Sequence, residues 1–92
     1  METLGSNLRI ILRYLDNEIG ACLRTTKSFQ FSLSQLPARL RGMINYAKLS
    51  KEVRACSLVD KLDIKNGSAD IVISCKFRCS LGDEIRQYLN TY

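Results

Sequence analysis

The sequence predicts an α+β fold: a three-stranded, mainly antiparallel sheet in the order strand-helix-strand-strand-helix, its helices on one face, preceded by an N-terminal extension that is itself helical. Three observations carry this expectation. Apolar residues recur at helical spacing over residues 6–24 and again from Leu81 to the end. The pair Asn66-Gly67, which tolerates positive φ, sits between two apolar-rich flanks and predicts a hairpin. "SFQFS" places Phe29 and Phe31 on one face of a short strand. Ninety-two residues hold one core and not two; the strand-helix-strand-strand-helix pattern occupies 28–92, a small α+β domain, and residues 1–27 precede it as an extension.

In the first helix Leu8, Ile11, Leu12, Leu15, Ile19, Cys22 and Leu23 share a stripe, with Ser6 as the expected cap. "LRIILRY" also alternates, so a strand followed by a short helix from Asp16 competes with that helix. After the Phe29–Phe31 strand, Ser32 and Gln35 read as a capping box, and Pro37 is tolerated if the helix begins at Ser34. Leu36, Leu40, Met43, Ile44 and Ala47 then mark one apolar stripe. On the outgoing hairpin strand Ile71, Ile73, Cys75 and Phe77 face the core. The last helix has Ser80 as cap, Asp83 three residues on, and Leu81, Ile85, Tyr88, Leu89 and Tyr92 along one edge.

Composition narrows the function classes. No apolar run reaches the roughly 18 to 20 residues that span a bilayer, so no membrane partner is expected. Arg9, Arg13 and Asp16 interrupt any signal-peptide pattern, which points to the cytoplasm. Cys22, Cys56, Cys75 and Cys79 are then expected as free thiols. Histidine is absent, which removes the commonest general base and zinc ligand. Cys75-x-x-x-Cys79 has the wrong spacing for a zinc knuckle, and the carboxylates are dispersed. The expectation is a non-enzymatic binding module without cofactor or metal. Its net charge of +5 favours an acidic partner, with Arg39, Arg41, Lys48 and Arg86 as candidate nucleic-acid contacts.

The terminal stretch "IRQYLNTY" resembles the last helix of the small dimerisation subunit family of the KEOPS complex, with Ile85, Arg86, Leu89, Asn90, Thr91 and Tyr92 at its signature positions. "SFQFSLSQLPARLRGMINYAKL" resembles that family's first strand and helix, and "DKLDIKNGSADIVISCKF" its central hairpin. The resemblance covers about residues 28–92 and implies a non-catalytic accessory subunit supporting threonylcarbamoyladenosine modification of tRNA. It implies pairing as a homodimer or with a paralogous small subunit, docking on the transferase subunit, and tRNA as a candidate further contact. The interface is then expected at Leu36, Leu40, Ile85, Tyr88, Leu89 and Tyr92.

A second function follows from the residues between the two halves. If "SKEVRACSLVDKL" is helical, the order becomes helix, strand, helix, helix, hairpin, helix, that of a winged helix-turn-helix regulator of transcription. Ser50 to Leu62 is then the recognition helix and Lys65 to Ser68 the tip of the wing. If residues 57–65 are extended and pair with 69–78 as a long hairpin, the regulator reading fails; a helix from Ser50 to Leu62 would sink the KEOPS reading instead.

Overall fold

The computed structural model describes residues 4–65, 68–76 and 80–91. Their elements run α1 (Ser6–Leu23), β1 (Ser28–Ser32), a 3₁₀ turn (Leu33–Gln35), α2 (Ala38–Arg41), α3 (Tyr46–Arg54), β2 (Val59–Lys65), β3 (Ser68–Ser74) and α4 (Leu81–Thr91). The sheet is antiparallel in the order β1-β3-β2, so the predicted α+β class and three-stranded sheet are present. Asn66-Gly67, the predicted turn pair, and Phe77, Cys79 and Tyr92 lie outside the described residues.

Residues 6–23 are helical, as the periodicity predicts, with a single non-helical residue at Ile19. Leu8, Ile11, Leu12, Leu15 and Leu23 on the stripe are all but fully buried, while Cys22 is exposed. At about 2 kcal/mol for each such side chain their burial amounts to about 10 kcal/mol, comparable to the whole stability of a small domain. Residues 6–23 therefore share one core with the rest of the chain, and they lie along α4. At the crossing, Gly82 brings the helices so close that a Cβ there would stand 3.1 Å from the Gly20 carbonyl oxygen.

Three local expectations are corrected. Ser6 does not cap α1; it is the first helical residue, and Gly5 stands at the cap position without a side chain to offer. The Ser32–Gln35 capping box does not form: only a 3₁₀ turn follows β1, and the Ser32 hydroxyl meets Ser34 Oγ at 2.8 Å instead. The stripe from Leu36 to Ala47 is not one helix: Pro37 stands at the N-cap of α2, so no helix runs through it from Ser34, and α2 itself ends at Gly42. The chain restarts at Ala38, stops at Gly42, and restarts again at Asn45, whose side chain caps α3 by accepting from the Lys48 amide at 3.1 Å. Leu36 and Ile44 are buried around this break, while Met43 in the turn is 62% exposed.

In β3 the alternation is as expected: Ala69, Ile71 and Ile73 are buried and the residues between them are half-buried. β2 carries a bulge at Asp60, between Val59 and Lys61. Asp60 accepts from Ser74 Oγ at 2.5 Å and pairs with Lys76. The hydrogen bond from Lys76, followed by that from Ser74, holds its carboxyl below the usual range. For α4, Ser80 and Asp83 form the predicted box: the Asp83 amide donates to Ser80 Oγ at 3.4 Å and Ser80 Oγ donates to the Asp83 carboxylate at 3.1 Å. Glu84, only 1% exposed, takes the Lys76 amide on both carboxylate oxygens, at 3.0 and 3.1 Å, and ties the end of β3 to α4.

Residues 59–65 are extended and pair with 68–74, so the helix expected from Ser50 to Leu62 is corrected to Tyr46–Arg54. That is the outcome on which a regulator with its recognition helix at Ser50–Leu62 fails, and that version is overturned; only a different one, with the shorter helix Tyr46–Arg54 in its place, is compatible with the structure. The segment divides, helix to Arg54 and strand from Val59, and the element order is helix, strand, helix, helix, hairpin, helix.

Candidate nucleic-acid interface

α2, a single turn of helix, is followed by a short connection and by α3, whose two sides are unlike. Leu49 is fully buried, and Tyr46, Glu52 and Val53 are half-buried. Ala47, Lys48, Lys51 and Arg54 face solvent. Residues 38–58 hold five cations and one carboxylate, so the orientation of that carboxylate decides the sign of the exposed face.

Glu52 points inward. Its Oε1 accepts the Leu8 amide at 2.9 Å and its Oε2 accepts from Asn7 Nδ2 at 2.6 Å. Asn7, itself buried, accepts the Asn45 amide on Oδ1 at 3.0 Å. The carboxylate thus caps α1 from another helix and meets the positive end of its dipole, while Asn7 fixes the start of α3. Gly5 makes the approach possible, since a Cβ there would overlap the Glu52 side chain. With Glu52 engaged, the charges left on the outer face of α3 are all positive.

The hairpin end adjoins the start of α3 on its Tyr46 side. Tyr46 at the start of α3 and Ile64, Lys65 and Ser68 of the hairpin line one cleft of about 290 Å³. Lys61 and Lys65 are exposed on β2, and Lys65 stands 3.9 Å from Asp63, a loose surface pair. Arg39 and Arg41 are exposed on α2. Met43 in the turn and Ile64 on the hairpin are the large apolar residues left most exposed among those described, and both belong to these elements.

Of the candidate contacts marked by charge in the sequence, Arg39, Arg41 and Lys48 are all exposed, Arg39 and Arg41 on α2 and Lys48 on α3, with Arg39 bordering a cleft against Arg13, Asn17 and Glu18 of α1. Arg86 lies on α4, 3.6 Å from Asp16 of α1, and α4 is further tied to α1 by Arg9 donating to the Leu89 carbonyl at 3.3 Å. Lys51, Arg54, Lys61 and Lys65 fall within the segments the regulator reading assigns to recognition helix and wing tip but are not singled out there by charge; Lys51 and Arg54 are exposed on α3 with Lys48, and Lys61 and Lys65 on β2. The spacing of Lys48, Lys51 and Arg54 is visible in the sequence, but it carries no meaning while residues 50–62 stand undecided between helix and strand.

The residues expected at a partner interface are mostly used within the chain. Ile85, Tyr88 and Leu36 are buried in its own core, with Tyr88 Oη 2.9 Å from Ser57 Oγ. Leu40 and Leu89 are half-buried against that core. α1 is the reason, since it covers the apolar edge of α4 that the sequence leaves for another subunit.

Among the described residues no group of histidine, cysteine and carboxylate side chains is arranged to hold a metal ion, and no helix is long and apolar enough to cross a membrane. In comparisons with known proteins, no family model, no curated protein and no solved structure matches the chain.

Proposed function

We propose that the protein is a non-enzymatic, winged helix-turn-helix binder of double-stranded DNA. α3 lies in the major groove, α2 crosses the backbone and the β2–β3 hairpin serves as the wing. The observation that carries this is the outer face of α3: Ala47, Lys48, Lys51 and Arg54 face solvent while the helix's one carboxylate is withdrawn to cap α1. Arg39 and Arg41, exposed on α2, are the cations this reading assigns to phosphates, and on the wing it assigns Lys61 and Lys65, which stand among Asp60, Asp63 and Asp70 of the same hairpin.

Chemistry favours the DNA duplex over RNA. A helix fits the major groove of B-form DNA and is excluded from the deep, narrow groove of A-form RNA. Single strands are held by rows of exposed aromatic side chains, and the outer face of α3 has none. The KEOPS-subunit reading has less support, because Ile85 and Tyr88 of the resembling helix are buried within the chain.

Fluorescence anisotropy with a mixed-sequence duplex tests the proposal. Five to seven of these cations neutralising phosphates give a slope of log K against log salt of about −4.5 to −6.3. A slope shallower than about −2, or equal affinity for a single strand of the same length, would overturn it.

A further inference from the structure

The two edges of the sheet are unlike. β2 ends one side with a bulge at Asp60 and with Lys61, Asp63 and Lys65 along it, the usual devices that stop a strand from pairing with another chain. β1 ends the other side with Ser28-Phe29-Gln30-Phe31-Ser32, which has no charge, no proline and no bulge against β3.

The directions of its backbone groups follow from the ladder. The Lys27 carbonyl accepts the Cys75 amide at 2.7 Å, and the register sets Phe29 opposite Ile73 and Phe31 opposite Ile71. Hydrogen-bonded positions alternate in an antiparallel pair, so Phe29 and Phe31 turn their N–H and C=O groups to β3. Ser28, Gln30 and Ser32 turn theirs outward. Among the described residues no other element hydrogen-bonds the backbone of these three.

We infer that β1 pairs with β1 of a second copy of this chain, joining two sheets across a two-fold axis at Gln30. The strand is a palindrome. Antiparallel pairing about Gln30 sets Ser28 against the second copy's Ser32, Phe29 against its Phe31 and Gln30 against its own counterpart. This is also the register in which every outward-facing backbone group meets another, as a self-complementary two-fold interface requires.

The side chains agree. Phe29 and Phe31 stack at 6.4 Å, and Phe31 meets Tyr14 of α1 at 6.0 Å. Between α1 and β1 they border an open apolar groove of about 330 Å³, walled also by Ile19, Leu23 and Gln35. Phe29 is still half-exposed there. In the joined sheet the second copy's Phe31 lies beside Phe29 on the same face, and the pair closes the groove. The inference stands apart from DNA binding and is tested without DNA.

Sedimentation equilibrium of the full chain and of Gln30→Pro and Gln30→Lys is the test. Proline removes the outward N–H at the axis, where an edge strand tolerates it, and lysine opposes its own charge across the axis. The unaltered chain is expected at twice its 10.5 kDa mass. Each variant is expected to keep the circular dichroism spectrum and to weaken dimerisation at least about tenfold, from the loss of two hydrogen bonds or the added repulsion. Should Gln30→Pro unfold, Gln30→Lys alone decides. An unaltered chain that stays at the single-chain mass throughout the micromolar range overturns the inference, as does a folded Gln30→Lys variant that dimerises like it.

Discussion

Replacing Lys48, Lys51 and Arg54 together by alanine is expected to weaken duplex DNA binding by two to three powers of ten in about 0.1 M salt. Each phosphate neutralised contributes about 0.9 to the slope of log K against log salt, so three together lower K by roughly 500-fold at that concentration. The slope itself should become shallower by about 2.7. Stability should be unchanged, since all three side chains are exposed on the outer face of α3. Arg24→Ala is the matching control. It removes an exposed cation beyond the far end of α1, about 24 Å along the helix from the Leu8 cap at 1.5 Å per residue. Affinity that falls as much for Arg24→Ala as for the triple variant would place the binding face elsewhere.

Glu52→Ala is expected to cost about 3 kcal/mol of folding stability, the largest loss for any single exposed or half-exposed residue of the helix-turn-helix. Two hydrogen bonds to a charged acceptor disappear, the amide of Asn7 loses its partner in a buried place, and α1 loses its cap. In a domain of this size that lowers the melting temperature by about 12 to 24 °C. Glu52→Gln keeps an acceptor for the Leu8 amide and gives up the charge, and should lose about half as much. Thermal unfolding followed by circular dichroism measures both. A loss under about 1 kcal/mol for Glu52→Ala would mean that α1 does not depend on this clamp for its N-terminal end.

The position of Glu52 also separates what is legible in the sequence from what is not. Periodicity places β3 and α4 and favours α1 over the competing strand at "LRIILRY", because their apolar residues face one shared core: Leu8 to Leu23 at helical spacing, and Ala69, Ile71 and Ile73 at period two. The capping box of α4 is legible because both partners are close in sequence. Glu52 capping α1 is not, since 44 residues separate the carboxylate from the Leu8 amide. Nothing local to Glu52 distinguishes it from a solvated helix residue.

The same distance hides the role of the first helix. Read locally, residues 1–27 precede a domain and the apolar edge of α4 looks unpartnered; in three dimensions α1 is that partner, through Gly82, Arg9 and the Asp16–Arg86 pair. The candidate binding face is half legible. Arg39, Arg41 and Lys48 are marked by charge, but Lys51 and Arg54 join them only once the helix is known to end at Arg54 and the hairpin to begin at Val59. Residues 55–58 carry Cys56 and Leu58 into the core, and their apolar character blurs that boundary.

The most direct measurement is a titration of the ¹⁵N-labelled protein with a short DNA duplex, read residue by residue from amide chemical shifts. The DNA-binding account predicts saturable shifts concentrated in α2, the turn at Met43, α3 and the β2 end of the hairpin. It predicts small shifts for Arg86, Leu89 and Asn90, which line the α4 side of the cleft between α1 and α4. Shifts concentrated there, or none that saturate, would contradict it.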